Sequence, residues 1–158
     1  MIVTGVDLNN IGYILATFLF TLSVGIAEEL YFRGIILRLL SNHFSDLPVI
    51  LISVLIFGIG HASGAFVESS PVMVLLSIFN AFLFGWIAAE TALITKNIIP
   101  LMIFHCFFDF FTYQMLATGK VMIIIYGVRG TLMTIVAVYL LIKLKNSLKS
   151  HTTVQILA

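Results

Sequence analysis

Six ionisable side chains and one aromatic fall into three short patterns, Glu28-Glu29-x-x-x-Arg33, Phe57-x-x-x-His61 and His105-x-x-x-Asp109. Residues four apart share a helix face, so Glu29 can pair with Arg33, and His105 can meet Asp109. Glu28 lies about 100° round the helix from Glu29 and is free to face elsewhere. Carboxylates and imidazoles in this arrangement suit hydrolysis. Cleaving an amide needs an activated water, support for the oxyanion and a proton for the leaving amine. No serine stands in a nucleophile elbow, and Cys106 faces a different side of its helix from His105, so water is the expected nucleophile. Desolvation makes a carboxylate a stronger base, which fits that task near neutral pH. The same residue types could relay protons or hold Zn²⁺ with an open water position, the zinc set being Glu28, His61 and His105. The sequence has no HExxH, and Arg33 beside the glutamates disfavours a dication. A metal-free site with no cofactor is therefore expected.

The elements that position these groups must lie in lipid. Of 158 residues, 61% are apolar and 9% charged, and the mean hydropathy is +1.16. Soluble domains carry about 25% charged residues. Too few charges are present to cover a water-facing surface, which excludes a soluble globule and a disordered chain. A net charge of +1 leaves no basic face for nucleic acid. Cys106 is the sole cysteine, so no intramolecular disulfide can form. The N-terminus lacks the positive region and cleavage site of a secretory signal, so its first apolar run reads as a retained span. Lipidation signatures are absent too.

The reading is all-α: a single domain over 1–158, a polytopic bundle of about five membrane helices around a polar chamber. The first helix, long or broken, is expected over about 10–42, because Leu8 to Ala27 is charge-free for about the ~20 residues a bilayer requires. Ser41 to Pro48 forms a loop, and a second helix runs from Pro48 to about Ser63. After a connection holding Glu68, a third covers Ser69 to Ala89, with a tight turn at Thr91 to Asn97. A fourth runs from Ile98 to about Leu116, then Thr118 to Lys120 breaks the chain. The last spans about Gly130 to Leu144, with Val121 to Val128 as a possible extension. Lysines 143, 145 and 149 place the C-terminus in the cytoplasm by the positive-inside rule.

Ionisable groups within spans each cost about 2.5–3.5 kcal/mol or more at the bilayer centre. Three polar stripes on separate helices avoid lipid by facing one another or a wet cavity. Glu28 is expected within hydrogen-bonding or one-water distance of His61, with His105 facing the same cavity. The other polar residues read as ordinary. His43 and His151 are expected to be exposed, and Glu90 to pair locally with Lys96. Gly58 and Gly60 would permit close helix approach. Trp86, Tyr13 and Tyr113 are expected at interfaces or in packing, and the 14 phenylalanines mostly against lipid.

Ala27-Glu-Glu-Leu-Tyr-Phe-Arg-Gly-Ile-Ile-Leu37, Phe57-Gly-Ile-Gly-His61 and Asn97-Ile-Ile-Pro-Leu-Met-Ile-Phe-His-Cys-Phe-Phe-Asp109 resemble the three motifs of the CPBP family. These are the CAAX-protease and bacteriocin-processing membrane proteins, also called Abi, including Rce1-type prenyl-protein endopeptidases. The pattern is EExxxR, FxxxH and Hxxx(N/D), in this order on separate helices. The resemblance covers about residues 15–115. It implies a glutamate intramembrane endopeptidase in which Glu28 is the base and His61 holds the same water. His105 and Asp109 would steady the oxyanion, with Glu29, Arg33 and Phe57 in support. Many relatives have Asn where this chain has Asp109, and many carry additional N-terminal spans. The implied partners are membrane lipid and a peptide or membrane-protein substrate in a prokaryotic cell membrane. The competing reading is a non-catalytic immunity or scaffold protein of the same fold. An ion or proton transporter ranks below both, since there is no second inverted repeat.

Overall fold

A computed structural model describes residues 10–66, 68, 70–114 and 120–156, with side chains except at 64, 65 and 147–156. Expectations for residues 1–9, for Thr118 and Gly119, and for the Lys149 and His151 side chains lie outside that set. Helix α1 (Ile11–Glu29) starts where Asn10 Oδ1 accepts from the Tyr13 amide, capping an otherwise orphaned donor. It continues without a break through a π-helical stretch, Leu30–Ile36, into α2 (Leu37–Ser41). Helix α3 (Asp46–Gly60) passes into a 3₁₀ turn at His61–Phe66. Ser70 caps α4 (Pro71–Thr95), and Pro71 at its first position loses no hydrogen bond the helix needs. Helices α5 (Ile99–Gln114) and α6 (Lys120–Ile156) complete the chain.

Among the described residues four stretches are long and apolar enough to cross a membrane: Ile11–Ser41, Asp46–Ser63, Pro71–Thr95 and Lys120–Asn146. The fifth, α5, has 16 residues and packs along α1. Helix α4 is the centre of the bundle, with α3 on one side and α6 on the other. Val49, Ile50, Val54 and Phe57 of α3 meet Ala81, Phe84, Ala88 and Ala89 of α4. Alanines dominate the α4 face because helices in lipid gain most from close backbone approach.

Three boundaries differ from expectation. Helix α4 runs on to Thr95 and shrinks the expected turn to Lys96 and Asn97, where Lys96 ends the helix in the left-handed region (φ 55°). Helix α3 begins at Asp46, with Ser45 extended before it. Helix α6 begins at Lys120, so 121–128 belong to the span and Arg129 lies inside it.

The close approach also falls elsewhere. A Cβ on Gly60 would meet nothing, and on Gly58 only the Phe82 side chain and the Cα of that residue, at 3.3 Å or more. On Gly25 it would sit 2.8 Å from the Met102 carbonyl oxygen and 2.9 Å from the Cys106 amide nitrogen. Backbone cannot yield as a side-chain tip can, so Gly25 sets the α1–α5 distance. Gly25→Ala is expected to destabilise the protein by about 1–3 kcal/mol, the range for overpacking. Thermal unfolding in detergent micelles checks this; an unchanged midpoint would remove Gly25 from that role.

Candidate active site

His105 is the centre of the site. Its side chain is buried on α5, and its ring packs 4.5 Å from that of Phe84 and 6.2 Å from that of Phe57. Nδ1 lies 2.8 Å from Glu29 Oε1, and an ionised carboxylate only accepts, so Nδ1–H donates to Glu29. Nε2 is thereby turned toward Asp109 Oδ2 at 3.5 Å and Glu28 Oε2 at 3.8 Å. The paired glutamates thus address opposite edges of one imidazole. That is the consequence of their 100° offset.

Glu29 is fully buried, and its Oε1 also accepts from Arg33 Nη1 at 3.0 Å. Arg33 Nη2 donates to the Gly85 carbonyl at 3.0 Å, and the guanidinium lies 4.6 Å from the centre of the Phe57 ring. Gly85 is needed there: a Cβ would come within 3.0 Å of the Phe57 ring and 3.4 Å of Arg33 Nη2. Arg33 sits in the π-helical stretch directly after the glutamates, a distortion found often at functional sites.

His61 stands at the start of the 3₁₀ turn, its Nδ1 3.1 Å from the Phe57 carbonyl oxygen and its ring against Phe57. It shares a cavity of about 230 Å³ with His105 and Asp109. The three patterns therefore converge as their spacing implied. Among the described residues Glu28 makes no hydrogen bond to His61, and its Oε2 has no hydrogen-bond partner at all. Among the described residues no group of three or more His, Cys, Asp or Glu side chains is gathered as a metal site would be.

A family model for the type II CAAX prenyl endopeptidase Rce1-like proteins matches residues 10–111. The chain belongs to the Rce1-like family. Comparison with the curated proteins and with the solved structures finds no match. All three patterns lie inside the matched residues of this Rce1-like chain, and α6 lies outside them. Four apolar helices together with the family make it an integral membrane protein, and the family supports a CAAX-type intramembrane endopeptidase in general terms.

Some residues of this Rce1-like chain differ from their sequence reading. Glu90 is fully buried, and neither of its carboxylate oxygens makes a hydrogen bond. It does not pair with Lys96, which stands exposed beyond the helix end. Phe57, Phe84 and Phe108 line the cavity instead of facing lipid. His43 is exposed as expected, and the Tyr13 hydroxyl donates to the Tyr113 carbonyl at 3.3 Å. Arg129, Asn80 and Thr112 also reach the cavity and were missed. The signal for them is Arg129 itself, an arginine between the apolar run 121–128 and the expected helix start at Gly130.

Proposed function

We propose that this protein is an intramembrane endopeptidase that hydrolyses a peptide bond of a membrane-associated peptide or protein with water as the nucleophile. One observation carries the reading: Glu28, Glu29 and Asp109 all converge on His105, beside a cavity that also holds His61, within apolar helices. In this mechanism Glu28 takes the proton from water and returns it to the leaving amine, and His61 holds that water. The Glu28 side chain is 34% exposed and its Oε2 makes no hydrogen bond, which leaves the carboxylate free for the task. His105 donates from Nε2 to the oxyanion. Such a donor requires an imidazolium, and Glu29 at Nδ1 supplies the counter-charge that stabilises it. Glu29 is then a positioning residue as well as the partner of Arg33, and Phe57 backs both His61 and the guanidinium.

Asp109, with Oδ2 3.5 Å from His105 Nε2, completes the oxyanion side as a second hydrogen-bonding group beside that nitrogen. The CPBP resemblance, with Asn in many members, supports a hydrogen-bonding role for it over a charged one. Asp109→Asn is expected to keep at least about a tenth of the cleavage rate. Asp109→Ala should lose about 10²-fold, the scale for removing an oxyanion-hole contact. Equal loss in both variants would make the carboxylate charge essential and sink this assignment.

The helix directions gather Arg38, Lys96, Lys143 and Lys145 at one end of the bundle, which supports a cytoplasmic C-terminus. Comparing membrane peptidomes of wild-type and Glu28→Gln cells tests the function. A peptide cut only in wild type supports it, and retained phenotype with identical peptidomes selects the scaffold reading. Activity that chelators remove and Zn²⁺ restores would replace the metal-free mechanism.

A further inference from the structure

Arg129 is a cation inside the bundle that is held in place by uncharged groups. Its Nε donates to Asn80 Oδ1 at 3.1 Å, and its Nη1 donates to Thr112 Oγ1 at 3.1 Å. The guanidinium lies 4.4 Å from the centre of the Tyr126 ring and 4.6 Å from that of Phe108. These holders are themselves fixed. Asn80 is buried, and its Nδ2 donates to the carbonyls of Leu76 and Tyr126, which leaves Oδ1 for Arg129. The Thr112 hydroxyl donates to the Phe108 carbonyl at 2.7 Å, which leaves a lone pair for Nη1.

The contrast with Arg33 is the decisive point. Arg33 has the Glu29 carboxylate in direct contact, whereas among the described residues no carboxylate lies within ion-pair distance of Arg129; Asp109, which lines the same cavity, acts on it only at longer range. An intramembrane cation without a direct ion pair is expensive and marks a ligand or ion path. Arg129 lines the same cavity as His61, His105 and Asp109. We propose that Arg129, oriented by Asn80 and Thr112, recognises a carboxylate of the peptide substrate and so sets where the chain lies against His105. A guanidinium is the side chain suited to this, because its planar fork meets a carboxylate through two parallel hydrogen bonds. Pre-fixing the fork lowers the ordering cost of binding. The inference rests on the protease reading of the cavity. Family membership does not contain it, since α6 lies beyond the matched residues.

The test uses the purified full chain in nanodiscs with three synthetic peptide libraries of one sequence set, each peptide carrying an N-terminal lipid. One library ends in a free acid, one in an amide, and one has a free acid with every internal Glu replaced by Gln. Cut sites are read by mass spectrometry, and kcat and KM are measured on the best peptide. The wild type is expected to favour the carboxylate-bearing form by roughly 10–100-fold in kcat/KM, mostly through KM. The acid–amide ratio reports a terminal carboxylate and the Glu–Gln ratio a side-chain one. In Arg129→Gln that ratio should fall to near one, with Arg129→Lys between the two. Wild-type cleavage indifferent to all three forms overturns the proposal and leaves the protease reading standing. So does an Arg129→Gln loss that falls equally on every form, since a merely structural residue behaves that way. If Arg129→Gln does not fold, the wild-type ratios decide alone. Wild type that cuts none of the libraries fails the protease reading, and this inference with it.

Discussion

Glu28→Gln is expected to reduce peptide-bond cleavage by about 10²–10⁴-fold, the scale of a lost general base, while the protein still folds. The amide keeps the volume of the carboxylate but cannot accept a proton from water. Folding is expected to survive because Glu28 Oε2 makes no hydrogen bond, and its contact with His105 at 3.8 Å is too long for one. Its side chain is 34% exposed and its buried Oε2 is already without a hydrogen-bond partner, so the change strips no group of one. Thermal unfolding in micelles should therefore stay within about 1 kcal/mol of wild type, since no hydrogen bond is lost. Cleavage is measured in the same preparation. A Glu28→Gln protein that cuts at more than about a tenth of the wild-type rate would move the base elsewhere. His105 would then be the next candidate, since Nε2 faces the cavity.

Much of this site was legible because the residues concerned are expensive in lipid. Glu29 with Arg33, and His105 with Asp109, each share a helix face, so spacing alone joined them. Charge in an apolar chain then required the faces to converge. The contact between Glu29 and His105 was not legible, since nothing local links residues 76 apart in sequence. Neither was the π-helical stretch at Leu30–Ile36, which has no composition signature and keeps the four-residue pairing of Glu29 and Arg33 intact. The start of α6 is open in the sequence for a physical reason of the opposite kind, and the structure takes the longer span that includes 121–128. An arginine is costly in a bilayer, so a span starting at Gly130, just beyond Arg129, is the less costly reading of the sequence. The fold offsets that cost with two neutral acceptors and two ring faces contributed by α4, α5 and α6 itself. Those partners lie far from Arg129 in sequence, apart from Tyr126. Gly25 and Gly60 make the same point: identical residues, and only the neighbouring helix decides which one is required.

Arg33→Met is expected to lower stability by about 3–5 kcal/mol, because it takes the guanidinium from a fully buried carboxylate and leaves Glu29 with His105 as its one remaining partner. Both side chains of this pair are fully buried. Methionine keeps length and apolar contact with Phe57, so packing is changed little and charge is what the variant removes. Arg33→Lys should recover only part of the loss: a single ammonium does not reach both Glu29 Oε1 and the Gly85 carbonyl as the two Nη atoms do. The informative variant is the double one. Glu29→Gln with Arg33→Met removes the stranded charge, and a buried pair replaced by neutral groups is often tolerated. The double variant should therefore be more stable than Arg33→Met alone, a coupling of at least about 1 kcal/mol. His105 limits the recovery, since Nδ1 then faces an amide oxygen instead of a carboxylate. For the same reason cleavage should not return with stability: the imidazolium has lost the counter-charge that keeps Nε2 a donor. Unfolding midpoints for the four proteins close this cycle, and the cleavage rate of the double variant separates the two roles. Additive losses would mean that Glu29 and Arg33 act independently. A double variant that regained activity as well as stability would reduce Glu29 to the partner of Arg33, with no part in orienting His105.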